Sequence, residues 1–117
     1  MMATDPGAFR AIMEKMTASA IDYLNYQIDE GVQAIQIFDS WVGCLSVSDY
    51  RNHVFAHSKK LIDSISGKVP VIHFGTGNPS LLPLMAEAGG DVMALDWRAP
   101  LKESWELLGC KAVQGNM

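Results

Sequence analysis

The chain has 117 residues, of which 49% are hydrophobic and 19% charged, and its net charge at pH 7 is −4. This length suits one small domain and is about half of the roughly 250 residues that a closed (β/α)8 barrel needs. The composition and charge argue against disorder, a membrane span and a nucleic-acid-binding surface, so we expect a cytoplasmic protein with neither membrane nor nucleic acid as partner.

The opening stretch predicts an amphipathic helix. Asp5 is a suitable N-cap, Pro6 suits the first helical position and Gly31 suits the C-terminal stop. Apolar residues recur at spacings of three and four and predict one buried face, formed by Phe9, Ile12, Met13, Met16, Ala20, Leu24 and Ile28. The β-prone run 34–39 follows directly, so a first strand is expected there.

The same helix-to-strand order then repeats three times. Ser46 and Asp49 have the spacing of a capping box and open a helical stretch to about residue 67. Strands are predicted near residues 69–75, 91–96 and 111–116. Between them, helices are predicted from Asn78 to Gly89 and from Pro100 to Gly109. Such alternation is typical of an α/β fold with about four parallel strands.

Side-chain alternation along the strands favours one of two possible architectures. Ile35 and Ile37 fall on one side of the first strand, whereas Gln36, Phe38 and Ser40 fall on the other. A doubly wound sheet is covered by helices on both faces and needs apolar residues on both. We therefore predict a partial (β/α)8 TIM barrel, with residues 1–117 forming a single segment that is incomplete at both ends.

Polar and aromatic residues collect where the predicted strands end. The carboxyl ends of parallel strands form the functional edge in both architectures. The four ends are Phe38-Asp39-Ser40-Trp41, His73-Phe74-Gly75-Thr76-Gly77, Leu95-Asp96-Trp97-Arg98 and Gln114-Gly115-Asn116. This edge is the predicted location of a ligand site.

Four segments together resemble the central and later part of uroporphyrinogen decarboxylase. The segments, in the family's order and spacing, are Gln33-Ala34-Ile35-Gln36-Ile37-Phe38-Asp39-Ser40-Trp41-Val42-Gly43, Val69-Pro70-Val71-Ile72-His73-Phe74, Glu87-Ala88-Gly89-Gly90-Asp91-Val92 leading to Leu95-Asp96-Trp97, and Val113-Gln114-Gly115-Asn116. The resemblance covers nearly the whole chain, and four motifs in register are far more specific than any one alone.

The resemblance implies a carboxy-lyase of haem biosynthesis. Such an enzyme removes carboxyl groups from the four acetate side chains of uroporphyrinogen III and forms coproporphyrinogen III, with no metal or organic cofactor. The protonated pyrrole accepts the electrons that carbon dioxide leaves behind, so the enzyme must bind carboxylates, stabilise a cation and donate protons. The resemblance also implies a tetrapyrrole partner and a homodimer for the whole protein.

Only one of the family's substrate-binding positions falls directly within this chain. The serine of the FDSW-type motif corresponds to Ser40, whose hydroxyl is expected to bind substrate. Phe38 has the same parity, so we expect it to face substrate too. The family's catalytic aspartate, arginines, tyrosine and histidine have no counterparts here, and the net acidity agrees with this, because a substrate rich in carboxylates requires clustered Arg or Lys. The isolated chain is therefore expected to be inactive.

Several other residues remain open between a functional and a structural role. His73 is either a general acid in the lumen or a hydrogen-bonded core residue. Asp39 and Asp96 are either a carboxylate pair or anchors for loop amides and neighbouring side chains. Trp41 and Trp97 are either stacking platforms or rim packing, and Arg98 is the one cation at the strand ends.

Two alternative functions remain beside the decarboxylase. A related corrinoid or coenzyme M methyltransferase shares the barrel but binds zinc through a His-x-Cys arrangement, and this chain has Gly75 where the cysteine would stand. A non-catalytic fragment is the other alternative. The two cysteines, Cys44 and Cys110, match no redox or metal motif, so we expect buried free thiols.

Overall fold

Helices and strands alternate along the chain, as predicted, in a computed structural model that describes residues 1–109 and 111–115. The elements are α1 (Pro6–Asp29), β1 (Ile35–Asp39), α2 (Val47–His53), α3 (Phe55–Ile65), β2 (Val71–Gly75), α4 (Leu82–Ala88), β3 (Val92–Ala94), α5 (Leu101–Leu108) and β4 (Ala112–Gln114). Short 3₁₀ turns, Val42–Cys44 and Pro79–Leu81, follow β1 and precede α4.

All four strands are parallel and lie in the order β1-β2-β3-β4. Ile35 pairs with Val71, Ile72 with Val92, and Val92 with Ala112. Every helical connection therefore joins neighbouring strands, as in successive units of a (β/α)8 barrel. The predicted α/β fold, consistent with part of such a barrel, is confirmed.

The two faces of the sheet differ as side-chain parity predicted. Ile35 is 5% exposed and packs in a core cluster with Val71 and α3. On the other face, which we call the open face, Phe38 is 64% exposed. The register places Gln36, Phe38, Ile72, Phe74, Ala94 and Gln114 on this open face.

The buried stripe of α1 lacks two of the predicted residues and includes one that was not predicted. The Asp5 cap is confirmed, because its carboxylate accepts a hydrogen bond from the Ala8 amide at 2.9 Å. However, Ile12 and Met16 are exposed at 42% and 63%, and Thr17 is the buried residue. Thr17 tolerates burial because its hydroxyl donates to the Met13 carbonyl at 2.7 Å, which satisfies the polar group inside the helix.

The second helical stretch is interrupted. Ser46 caps α2 by accepting from the Asp49 amide at 3.1 Å, as the capping-box spacing predicted. The helix then breaks at Val54, whose φ of −121° leaves the helical range before α3 begins. β3 and β4 are also shorter than predicted, and Asn116, expected at the end of β4, lies outside the described residues.

The predicted burial of the cysteines is wrong for Cys44. Its thiol is free but exposed, and it donates to the Trp41 carbonyl at 3.1 Å within the 3₁₀ turn after β1. Cys110 lies outside the described residues. Across residues 1–109 and 111–115, no helix has the length and apolar character needed to cross a membrane.

Candidate functional site

An aromatic pair dominates the open face near the carboxyl ends of β1 and β2. The register sets Phe38 beside Phe74. Their rings meet edge to face, with centroids 5.6 Å apart and an interplanar angle of 72°. Because the Phe38 ring is exposed on the open face of the sheet, the pair offers an apolar surface to a ligand.

Ser40 lies just past the end of β1, at the side of this aromatic pair. Its backbone carbonyl accepts a hydrogen bond from the Thr76 hydroxyl in the loop after β2. Ser40, Phe38 and Trp41 line a groove of about 300 Å³ that wraps around the open edge of β1. This volume is at the lower end of the range for small-molecule pockets, so the groove can contact only part of a ligand as large as a tetrapyrrole.

The loops after β1 and β2 are in direct backbone contact. A Cβ atom on Gly43 would lie 2.0 Å from the Thr76 carbonyl oxygen and 2.8 Å from the Gly77 Cα. Asn78 adds a bridge by donating from Nδ2 to the Leu45 carbonyl at 3.1 Å. Glycine at position 43 therefore allows an approach that any side chain would prevent.

Asp96 anchors the next loop of the same rim. Its carboxylate accepts hydrogen bonds from the Gly77 amide at 2.8 Å, the Arg98 amide at 2.9 Å and the Arg98 guanidinium at 2.5 Å. Burial opposes ionisation, but these three donors and the charge of Arg98 together lower the pKa of Asp96 below its usual value. The ionised carboxylate thus stabilises two loops, which favours the structural role.

Arg98 makes two contacts at the rim. Its guanidinium pairs with Asp96 and stacks on the ring of Trp97, 4.4 Å from the centroid. Trp97 is 76% exposed and Trp41 is 88% exposed, so neither ring is packed inside the protein. Both indoles remain available at the rim to a ligand or to another part of a larger protein.

His73 lies on the helix-covered side of the sheet and does not face the lumen. It is completely buried, and its Nε2 lies 3.0 Å from Asp39 Oδ2. Ser58 of α3 donates its hydroxyl to the same carboxylate oxygen at 3.1 Å. Asp39 and Asp96 thus have separate partners and do not form a carboxylate pair. The geometry assigns His73 to the hydrogen-bonded core.

Tyr50 of α2 is buried next to this cluster. Burial and then the nearby Asp39 carboxylate raise the pKa of the Tyr50 phenol well above its usual value, while the Ser58 hydroxyl acts in the opposite direction. Among the described residues, the Tyr50 hydroxyl has no hydrogen-bond partner of normal geometry. Tyr50 is therefore a neutral phenol in a dry environment.

Four residues of this region were not identified from the sequence: Gly43, Tyr50, Ser58 and Thr76. Their roles depend on contacts between segments that are far apart in the chain. The sequence did contain one signal for His73. Both strands have five residues, and Asp39 is the fifth residue of β1 while His73 is the third of β2, so strand alternation places them on the same face. The partners contributed by α2 and α3 had no such signal.

No group of three or more His, Cys, Asp or Glu side chains within the described ranges is placed to hold a metal ion. The position that would carry a zinc-binding cysteine in the methyltransferases is Gly75. A Cβ atom there would lie 2.5 Å from Met85 Cε and 2.8 Å from its Sδ. A cysteine at position 75 would therefore require only the end of the Met85 side chain to move, so what argues against the methyltransferase ligand set is the glycine itself.

Comparison with known proteins agrees with this geometry. Residues 1–117 match the family model described as uroporphyrinogen decarboxylase (URO-D). The chain is similar to proteins named uroporphyrinogen decarboxylase from Citrifermentans bemidjiense, Geotalea daltonii and Pelobacter propionicus, with 46%, 48% and 49% identity over the whole chain. It spans 35% of the length of each of these relatives. Because the family model covers every residue, the chain belongs to the uroporphyrinogen decarboxylase family.

Proposed function

We propose that this chain supplies part of the substrate-binding rim of a uroporphyrinogen decarboxylase. At each of four acetate side chains, one carboxylate and one proton would yield one methyl group and one carbon dioxide. The observation that carries the proposal is the placement of Ser40 and the Phe38–Phe74 pair at the carboxyl ends of two neighbouring strands, in a chain of this family. No metal or organic cofactor takes part in the proposed reaction.

In this proposal, Ser40 and Phe38 bind different parts of the tetrapyrrole. The Ser40 hydroxyl hydrogen-bonds a polar group of the substrate, and the exposed ring of Phe38 packs on the macrocycle. Arg98 contributes little to carboxylate binding, because Asp96 already neutralises it. The cations that bind the substrate's carboxylates would therefore come from other parts of the whole protein, and the isolated chain should show no turnover.

The same proposal covers the whole protein's substrate, assembly and location. The family match supports a tetrapyrrole substrate. A homodimeric assembly and a cytoplasmic location are proposed from the resemblance to the family alone. The net charge of −4 supports the expectation that nucleic acid is not a partner.

The proposal predicts that the hydroxyl of Ser40 matters for catalysis. We define the hybrid enzyme as the Geotalea daltonii protein in which residues 1–117 of this chain replace the matching third. Ser40→Ala in the hybrid enzyme should lower kcat/KM for uroporphyrinogen by roughly 10- to 100-fold. A hydrogen bond to a neutral group contributes about 0.5–1.5 kcal/mol and one to a carboxylate about 1.5–3 kcal/mol, at about 1.4 kcal/mol per tenfold change.

Ser64→Ala is the matched control for this experiment. Ser64 is in α3, and its hydroxyl donates to the Leu61 carbonyl, away from the rim. Coproporphyrinogen formation would be measured at equal concentrations of folded protein, checked by circular dichroism. If Ser40→Ala leaves kcat/KM unchanged, Ser40 is not a substrate-binding residue. If the folded hybrid enzyme shows no turnover, or the 117-residue chain alone shows turnover, the proposed function is wrong in its present form.

A further inference from the structure

A buried polar cluster behind β1 and β2 has no part in the chemistry proposed above. At its centre is Asp39, whose Oδ2 lies 3.0 Å from His73 Nε2 and accepts from the Ser58 hydroxyl at 3.1 Å. His73 is completely buried, and the side chain of Asp39 is only 22% exposed. The three residues connect β1, β2 and α3.

Burial of this cluster is energetically unfavourable if its role is only structural. Burial of a carboxylate and an imidazole is unfavourable unless both are hydrogen-bonded. Among the described residues, Nδ1 of His73 has no hydrogen-bond partner, so only half of the ring's polar groups are satisfied. A leucine at position 73 would fill much of the same space without that penalty. The Asp39–His73 pair therefore does more than fill space, and its role is found in the residues that it positions.

The backbone around Asp39 supplies the explanation. Asp39 is the last residue of β1, and it lies between Phe38 and Ser40. Because successive side chains of a strand point to opposite faces, Asp39 on the helix side places Phe38 on the open side, and Ser40 begins the turn that follows directly. Asp39 is thus the residue at which β1 passes into this turn, and its side chain is held by His73 and Ser58.

The two donors decide which face Asp39 occupies. With His73 and Ser58 present, the carboxylate is stabilised on the helix side by two hydrogen bonds. Without them, the Asp39 carboxylate would have no donor on the helix side, where an unpaired polar group is unfavourable. The end of β1 would then rotate, and Ser40 would leave the substrate-facing side.

We propose that His73 is a positioning residue, which holds Asp39 on the helix side and thereby keeps Phe38 and Ser40 directed toward the substrate. His73 does not touch substrate and transfers no proton in this role. The inference depends on the proposed function for its effect on catalysis. Its effect on the conformation of the loop after β1 can be measured without any substrate.

The catalytic test uses the hybrid enzyme with two substitutions of His73. His73→Leu removes the donor to Asp39 and should lower kcat/KM for uroporphyrinogen by about 10-fold, a part of the Ser40 effect. His73→Gln should stay within about threefold of the parent, because the glutamine amide can donate to Asp39 from nearly the position of Nε2. Rescue by glutamine separates hydrogen-bond donation from simple filling of space.

A double-mutant cycle shows whether His73 acts through Ser40. If it does, His73→Leu should lower kcat/KM by clearly less than about 10-fold in the Ser40→Ala background, because only the positioning of Phe38 is left to lose. A residue with only a structural role would lower the melting temperature and give the same fold-loss of kcat/KM in both backgrounds. Equal losses in the two backgrounds would overturn the proposal.

The second test uses the 117-residue chain and requires no activity. Trp97→Phe and Trp105→Phe leave Trp41, which follows Ser40 directly, as the only tryptophan. His73→Leu should lower the fluorescence anisotropy of Trp41, and His73→Gln should restore it. Met93→Leu is the matched control, since Met93 is equally buried and pairs with His73 in register.

The two tests separate the failure of this inference from the failure of the proposed function. If the folded hybrid enzyme shows no turnover, the proposed function fails and the anisotropy of Trp41 alone decides the role of His73. Unchanged anisotropy in His73→Leu, or an equal change in Met93→Leu, would show that His73 does not position the loop. If His73→Leu fails to fold, Ser58→Ala removes the second donor to Asp39 and should change the anisotropy in the same direction.

Discussion

Gly43→Ala in the hybrid enzyme should lower kcat/KM for uroporphyrinogen by about 100-fold, as much as the upper end of the range expected for Ser40→Ala. The added Cβ would lie 2.0 Å from the Thr76 carbonyl oxygen, whereas ordinary contact begins at 3.4 Å, so the two loops must separate by about 1.4 Å. The added Cβ would collide with backbone atoms of Thr76 and Gly77 in the neighbouring loop. Backbone atoms cannot rotate out of the way as a side chain can.

Separation of the two loops affects the site because Ser40 belongs to one of them and is hydrogen-bonded to the other. The Thr76 hydroxyl donates to the Ser40 carbonyl, and this bond cannot survive a displacement of more than 1 Å. Misplacement of a substrate-binding group by about 1 Å can reduce the rate by about 100-fold. Overpacking should also lower the free energy of unfolding by about 1–3 kcal/mol.

Gly7→Ala is the matched control for this prediction. It makes the same chemical change in the first turn of α1, where the new Cβ would meet only Asp5 Oδ1 at an ordinary 3.6 Å. This control should keep full activity and gain a few tenths to about 1 kcal/mol of helix stability. Steady-state kinetics and urea unfolding would measure both variants. Full activity in Gly43→Ala would show that the contact between the two loops has no role in catalysis.

Tyr50 should make the folded chain lose stability in alkaline solution. Burial and the Asp39 carboxylate raise the pKa of this phenol above the usual value of about 10. Above about pH 10 the unfolded chain therefore loses the phenol proton while the folded chain keeps it. The unfolded state then binds fewer protons, so the free energy of unfolding falls by about 1.4 kcal/mol per pH unit until the folded phenol ionises. Below about pH 10 the contribution is fully present.

Tyr50→Phe should remove this part of the pH dependence. At neutral pH the substitution should change the free energy of unfolding by less than about 1 kcal/mol, because the buried hydroxyl makes no hydrogen bond of normal geometry. Urea unfolding of the 117-residue chain at pH 7, 10 and 11 would measure the difference between the variants. Tyr23→Phe, at a position that is 62% exposed, controls for the loss of one tyrosine. Parallel pH profiles for Tyr50→Phe and the parent would contradict the prediction.

Local patterns were sufficient to predict the elements and their order. The Asp5 cap, the Ser46 cap and the alternation of helix and strand are properties of short segments, and the structure confirms them. Parity along β1 also predicted that Phe38 would face away from the helices, and it is exposed there. Whether Phe38 and Ser40 bind substrate stays a prediction, since no contact within the chain tests it.

Predictions from local patterns were wrong where contacts with a distant segment of the chain determine burial or helix length. The apolar spacing of α1 allows either Met16 or Thr17 to turn inward, and packing against α3 selects Thr17. The helical stretch after Ser46 contains no proline or glycine to mark its break, yet it is interrupted at Val54. Cys44 was expected to be buried, yet it is exposed in the turn after β1, and the residues beside it do not encode this.

The sequence by itself determined the alternating fold, the family and the face of β1 on which Phe38 lies, because each depends on the order and spacing of residues along the chain. Only the tertiary structure decided which contacts hold Asp39 and Ser40 at the end of β1. Asp39 meets His73 across 34 residues, and the Thr76 hydroxyl reaches the Ser40 carbonyl across 36. Such contacts depend on strand register and on which loops become neighbours, and those are set by the packing of the whole sheet against its helices.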